Sequence, residues 1–208
     1  MLISTNYINM LTHKKYILAS SSKSRYKILK NSGFIFYRVK PDCDEEQIKI
    51  KYKKENRSPH YIAKKLSFEK AKSVSFKKKY KNFHVIGCDT LIYLDKKIFD
   101  KAKNLSEAKD KIKILSGKTH KIVSGITIFK NGKKEWDCSA TTSVKLRKIN
   151  QAQIEEYLKK TGHQILQSVG CYQIEAMGPQ IIENIKGDYF NVMGLPLFKL
   201  LRYVSDNK

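Results

Sequence analysis

Two short apolar runs, at 16–19 and 85–88, each stop at polar residues: Ser20-Ser21-Ser22 after the first, Asp89-Thr90 after the second. Four apolar residues in a row are too few for a buried helix and read as strands covered on both faces. Helix signals stand between such runs. Residues 24–31 point Ile28 and Leu29 inward and end at Gly33, which suits a left-handed terminator. Ser58-Pro59 is a cap and first-turn pair for a helix that buries Ile62, Leu66 and Ala71. Asn104 with Glu107 caps a helix ending at Gly117, and Asn150 with Gln153 caps another running through Leu158. Strands are predicted at 34–39, 120–129, 136–146 and 179–185. Hairpins turn at Asp95-Lys96, between 91–94 and 97–99, and at Asn131-Gly132. Pro196 opens a last amphipathic helix to about Tyr203. Residues 41–46 read as an acidic loop, and 49–57 as a mobile, lysine-rich connection. Strands and helices interleave, so the predicted class is α/β with a mixed sheet flanked by helices.

A chain of 208 residues fits one large domain or two small lobes sharing a core. No apolar run approaches the ~20 residues of a membrane helix, so no membrane is expected. Residues 1–13 lack both the charge order and the cleavage site of a secretory signal. They read as a loose leader, with Met10 as a second candidate start, before a single two-lobed domain over 14–208. Cys43, Cys88, Cys138 and Cys171 are scattered without metal-ligand or redox spacing, which points to reduced thiols and a cytoplasmic setting. The net charge of +23 invites nucleic acid as a partner. But 37 of the 42 basic residues are lysine, spread evenly, and nucleic-acid readers lean on arginine. The excess reads as solvated faces and favours a small anionic substrate instead.

Three constellations can carry chemistry. Ser20-Ser21-Ser22-Lys23-Ser24-Arg25 joins a strand to a helix N-terminus, where free amides, hydroxyls and a guanidinium suit a phosphate; the competing reading is a serine-rich helix cap. Asp42, Asp44, Glu45 and Glu46 cluster carboxylates in a chain short of them and could hold Mg2+, or could be a solvated loop. Asp89 ends an apolar strand, where open α/β sheets place reactive groups, and could equally cap a turn. No phosphate-loop signature and no serine-hydrolase elbow is present. The five histidines have no ligand spacing and read as surface or packing residues.

In their order these segments resemble the Maf family of nucleotide pyrophosphatases, which is linked to septum formation. The resemblance runs from about Tyr16 to Tyr203. It rests on Ala19-Ser20-Ser21-Ser22-Lys23-Ser24-Arg25, Asp44-Glu45, Glu69-Lys70-Ala71, Gly87-Cys88-Asp89-Thr90, Asp100-Lys101-Ala102, the LSGxTH run at 115–120 and the GDYxNVxGLPL run at 187–197. It implies an elongated α/β fold of two lobes with a central cleft. It also implies hydrolysis of a canonical or modified nucleoside triphosphate to the monophosphate and pyrophosphate, with a role in cleansing nucleotide pools and in cell-division arrest. Asp89 would be the general base or water activator, with Glu45 and Lys70 as its catalytic companions. Glu45 and Asp89 would hold a divalent cation, Mg2+ or Mn2+. Ser20, Ser22, Arg25, Lys70 and Lys101 would hold the triphosphate. The assembly leaves room for a homodimer.

The chain departs from the family pattern at Lys23 and Ser24, where Pro-Arg is usual, at Asp100 and Ala102 around Lys101, and at Glu175, where Gln is usual. Ser24, Thr90 and Glu175 fall where the base would be read. Thr90 resembles the branch cleaving dTTP and UTP, and Glu175 the branch acting on 7-methyl-GTP, so base preference stays open. The alternative function is a non-catalytic, basic, nucleic-acid-binding regulator of cell division. It gives no purpose to Glu45 and Asp89 beside a phosphate.

Overall fold

A computed structural model describes residues 14–207; the leader read at 1–13 lies outside the described residues. The element order is β1 (Tyr16–Ala19), α1 (Lys23–Asn31), β2 (Phe36–Val39), α2 (Glu45–Lys54), α3 (Pro59–Ser75), β3 (His84–Leu94), β4 (Lys97–Phe99), α4 (Leu105–Leu115), β5 (Thr119–Lys130), β6 (Lys133–Leu146), α5 (Gln151–Thr161), β7 (Ile182–Lys186), α6 (Tyr189–Val192) and α7 (Leu197–Asp206). The described strands form a seven-stranded mixed sheet in the order β2-β1-β3-β5-β6-β7, with β4 on β3. Helices flank it, as the interleaved pattern predicts. No helix among the described residues is long and apolar enough to cross a membrane.

The described chain divides into two units. The first takes in residues through Thr90, Ser124–Ala140 and Gly194 onward. Here β1 runs parallel to both β2 and β3, with Ala19 beside Val39 on one side and Gly87 on the other. That register brings the carboxyl ends of β1 and β2 beside Gly87 of β3, which itself runs on to Leu94, so the segments leaving β1 and β2 start next to Cys88-Asp89-Thr90. Every residue of β1 is buried, which explains its continuous apolar run. Ile17, Ala19, Ala71, Val74, Val85 and Phe129 pack into one cluster. Helix α3 lies hard against the sheet at two glycines. A Cβ on Gly87 would stand 2.1 Å from the Ser67 carbonyl oxygen, and one on Gly125 would stand 2.4 Å from the Ala63 carbonyl.

The second unit comprises Leu91–Val123 and Thr141–Met193. Its core gathers Ile92 and Phe99 from β3 and β4, Ala108, Ile112 and Leu115 from α4, Val144 and Leu146 from β6, and Ile154, Tyr157 and Leu158 from α5. The β3–β4 hairpin turns at Asp95 (φ 54°); in the first unit, the β5–β6 turn at Asn131-Gly132 has positive φ at both central residues (52° and 73°), the geometry that dipeptide favours. Asn150 and Gln153 form a reciprocal capping box on α5. On α4, Asn104 accepts from the Glu107 amide, but Glu107 reaches back to the Lys103 amide instead of Asn104.

Three expectations need correction. The strands read separately at 85–88 and 91–94 are one strand, β3, which runs through Asp89-Thr90 without a break, so Asp89 stands within a strand and not at its end. Most of the segment read as an acidic loop (41–46) and a mobile connection (49–57) is the helix α2, with 41–44 remaining loop: Asp44 caps the helix by accepting from the Gln47 amide at 3.0 Å. Its first turn carries Glu45 and Glu46 and its last turn Lys51, Lys53 and Lys54, which complements the helix dipole. No residue of α2 is buried, so it lacks the apolar stripe that would reveal it. The strand predicted at 179–185 starts later, at Ile182, because Pro179 has no amide for a ladder and sits in a short 3-10 turn over Gly178–Gln180.

Candidate active site

The convergent edge of the first unit carries the chemistry. β1 ends at Ala19, and α1 begins at Lys23 with Ser22 as its cap, its hydroxyl accepting from the Arg25 amide at 3.3 Å. The cap reading of the serines is therefore realised. Ser20 is buried and accepts from the Ser22 amide (3.2 Å) and from Arg25 Nη1 (3.1 Å). Arg25 is itself buried, and every nitrogen of its fork is engaged: Nε donates to the Gly194 carbonyl at 2.8 Å and Nη2 to Thr90 Oγ1 at 3.0 Å. Thr90 Oγ1 also lies 2.8 Å from Ser124 Oγ and 3.2 Å from the Gly194 carbonyl. Cys88 Sγ donates to the same carbonyl at 3.2 Å. Ser124 and Gly194 were not anticipated as parts of this network. The GLPL run that contains Gly194 was the only sequence signal for it, and Ser124 gives none within a β-branched strand.

Beside this network is an ionic group. Lys70 Nζ lies 2.5 Å from Asp89 Oδ1 and 2.8 Å from Glu45 Oε2. The Lys70 and Asp89 side chains are 6% and 10% exposed, whereas that of Glu45 is 45% exposed. Each member arrives by a different route. Asp89 follows the buried first half of β3. Lys70 precedes Ala71, where α3 closes on Gly87. Glu45 opens α2. Burial alone would push the Lys70 ammonium down, and Arg25 pushes the same way. The carboxylates of Asp89 and Glu45 outweigh both and hold Lys70 above the ordinary lysine range. Lys70 is thus a fixed cation and not a base. Burial pushes the neighbouring Cys43 thiol up to about 11, reinforced by Glu45 and Asp89. Cys43 stays a neutral thiol, unsuited to act as a nucleophile.

The structure thus brings Ser20, Ser22, Arg25, Thr90, Lys70, Asp89 and Glu45 together in one unit. Ser24 follows Lys23 in the first turn of α1. Lys101 and Glu175, both exposed, belong to the second unit, in the segment after β4 and in the turn after Tyr172. Among the described residues no group of three or more His, Cys, Asp or Glu gathers as a metal cage. Two carboxylates do converge, each with one oxygen on Lys70. That donor set fits a hard divalent cation that keeps most of its waters and takes its remaining ligands from phosphate oxygens. His120, read from the sequence as a surface or packing residue, is fully buried against Tyr172, its Nε2 2.6 Å from the phenol oxygen.

A family model described as "Maf-like protein" matches residues 15–207. A nucleoside triphosphate pyrophosphatase of Caulobacter vibrioides is 37% identical over 187 residues, covering 90% of this chain and 92% of its own. A 7-methyl-GTP pyrophosphatase of Bartonella henselae is 37% identical over 185 residues, covering 89% and 91%. Another 7-methyl-GTP pyrophosphatase, of Bartonella quintana, is 38% identical over 186 residues, covering 89% and 91%.

Proposed function

The chain belongs to the Maf-like family, and on that premise we propose that it is a nucleoside triphosphate pyrophosphatase, releasing the monophosphate and pyrophosphate. The observation that carries this reading is the buried Lys70 ammonium held between Asp89 and Glu45 at the edge where the serine–arginine segment begins. Cleavage at the α-phosphate needs a water stripped of a proton and positive charge against the departing pyrophosphate. Asp89 would accept the water's proton. Lys70 stays charged through the cycle and offsets the charge that builds on the phosphate oxygens.

Glu45 and Asp89 would hold a divalent cation, Mg2+ or Mn2+, which when bound supplies Lewis-acid polarisation of the phosphates. Ser20 and Ser22 present hydroxyls and first-turn amides of α1 to the phosphate chain. Arg25, with its fork engaged by Ser20, Thr90 and Gly194, contributes charge from a fixed position. Thr90 already serves Arg25, Ser124 and Gly194 with its hydroxyl, so it acts on base choice chiefly by setting that network. Glu175 is the residue we assign to base choice, together with Ser24. An ionised carboxylate accepts from ring or amino N–H donors and cannot donate. This favours a guanine-type base, in keeping with the names of the Bartonella relatives. The four free cysteines suit a reducing cytoplasm.

The test is a panel of canonical and 7-methylated nucleoside triphosphates incubated with the purified chain and Mg2+ or Mn2+. Pyrophosphate plus monophosphate is the expected product pair, abolished by chelator. Orthophosphate as the first product would overturn cleavage at the α-phosphate.

A further inference from the structure

The second unit contains a buried lysine that the proposed chemistry does not use. On α4, residues 108, 111, 112 and 115 form the buried stripe, the spacing at which a helix presents apolar side chains to a core. Three of them are Ala108, Ile112 and Leu115, all fully buried. The fourth is Lys111, 8% exposed. An apolar side chain would satisfy that stripe without the desolvation that a lysine suffers there. Burial indeed pushes its ammonium below the ordinary lysine range, against the pull of Cys171, Asp100 and Glu107.

What the ammonium gains is two carbonyls from two separate segments. Lys111 Nζ donates to the Asp100 carbonyl and, at 3.1 Å, to the Val169 carbonyl. The segment that bears Val169 continues into Cys171. Cys171 itself holds a positive φ of 56°, a conformation that a non-glycine residue keeps only when its surroundings impose it. Next to it, Tyr172 is pinned by His120. One of the tied segments is Asp100-Lys101-Ala102, and the other leads through Gly170–Tyr172 to Glu175. The ammonium therefore fixes the backbone on which Lys101 stands relative to the segment that ends in Glu175.

We propose that Lys111 is a positioning residue for substrate binding: its ammonium clamps the Asp100 and Val169 carbonyls and so fixes the backbone that carries Lys101, the residue that the resemblance assigns to phosphate. The proposal rests on the reading of Lys101 as a phosphate contact, made above. It differs from a purely structural role in its coupling, since a clamp that works through Lys101 loses its effect on binding once Lys101 is gone.

The experiment is a double-mutant cycle on binding, independent of turnover and of base identity. Inorganic tripolyphosphate with Mg2+ is titrated calorimetrically at 0.15 M salt into the wild-type chain, Lys101→Ala, Lys111→Met and the double variant. Lys111→Met keeps the length and packing of the side chain and removes the ammonium. Lys111→Gln serves as a second variant that keeps one donor, and circular dichroism checks that each is folded. Lys101→Ala and Lys111→Met should each weaken binding by about 10-fold, the scale of a lost charged contact, with Lys111→Gln in between. The double variant should bind within about twofold of Lys101→Ala, because coupled residues do not add. Wild-type affinity in Lys111→Met, or a double variant weakened by the product of the two single effects, would overturn the clamp. Unchanged affinity in Lys101→Ala would overturn it as well, by removing the contact it acts through. Pyrophosphate release by the wild-type chain, measured in parallel, decides the activity separately from the clamp.

Discussion

Asp89→Asn keeps the shape of the side chain and removes its charge and basicity, and the structure sets the size of both consequences. At 2.5 Å from Lys70 Nζ, two unit charges attract by roughly 7 kcal/mol at an effective dielectric of about 20, before any desolvation is set against it. Breaking a buried pair typically costs about 3–5 kcal/mol because the surviving charge is stranded. Here it is only half stranded: Glu45 remains 2.8 Å away, and the Asn carbonyl still accepts a hydrogen bond. A stability loss of about 2–3 kcal/mol is expected in urea unfolding. The chemical step should suffer more, by about 10²–10⁴-fold in kcat, the usual scale for loss of a general base. With Asp89 neutral, burial and Arg25 pull Lys70 down against Glu45 alone, so the residual activity should also fall as pH rises, which the wild-type enzyme should not show at the same pH. Near-normal turnover in Asp89→Asn would refute the assignment at its centre. A rate loss fully matched by loss of folded protein would make Asp89 structural.

Glu175→Gln adds a donor at constant size, so relative kcat/KM should move about 10–100-fold toward dTTP and UTP and away from guanine-type substrates; equal slowing on every base would show that the base is read elsewhere. Burial lowers His120 from 6.5 to about 4, so between those values the unfolded chain binds a proton that the folded chain refuses. Stability should therefore be complete above pH 6.5 and fall by about 3 kcal/mol as pH drops to 4, a slope that His120→Gln should flatten and that identical curves would contradict. Gly87→Ala drives a methyl into the Ser67 and Ala71 backbone and should lower stability by about 3 kcal/mol or more, or about 6–12 °C in Tm for a chain of this size; an unchanged Tm would mean that α3 does not sit as tightly on β3 as described.

The sheet was legible where burial wrote itself into composition. The apolar runs at 16–19 and 85–88 are buried, and the polar residues that follow them bear the site, although β3 runs on through Asp89-Thr90 to Leu94. The turns at Asp95 and Asn131-Gly132 were legible because their backbone conformations select those residue types. Helix α2 was not, since its pattern is charge arranged along a dipole and not an apolar stripe, and Glu45 was read as a loop residue on that account. The Arg25–Thr90–Gly194 network was hidden for another reason. A backbone carbonyl that gathers three donors leaves no trace in side-chain identity, so only the resemblance at the GLPL run pointed there.

Charge shows most clearly how far composition can lead. The net +23 is a property of the whole surface, and its even spread gives no lysine a claim over another. Among the described residues only Lys70 and Lys111 are buried lysines, and they solve the same desolvation problem in opposite ways. Lys70 is compensated by two carboxylates and kept fully charged, which suits a group that must face phosphate throughout a reaction. Lys111 is compensated by carbonyls, which orient it without neutralising it, and its ammonium range drops. A carboxylate pair makes a cation chemically useful, whereas a carbonyl pair makes it mechanically useful, because carbonyls belong to backbone and clamp the segments that bear them. The sign of each displacement therefore follows from the kind of partner, and the kind of partner separates the lysine proposed to meet substrate from the one proposed to position other residues.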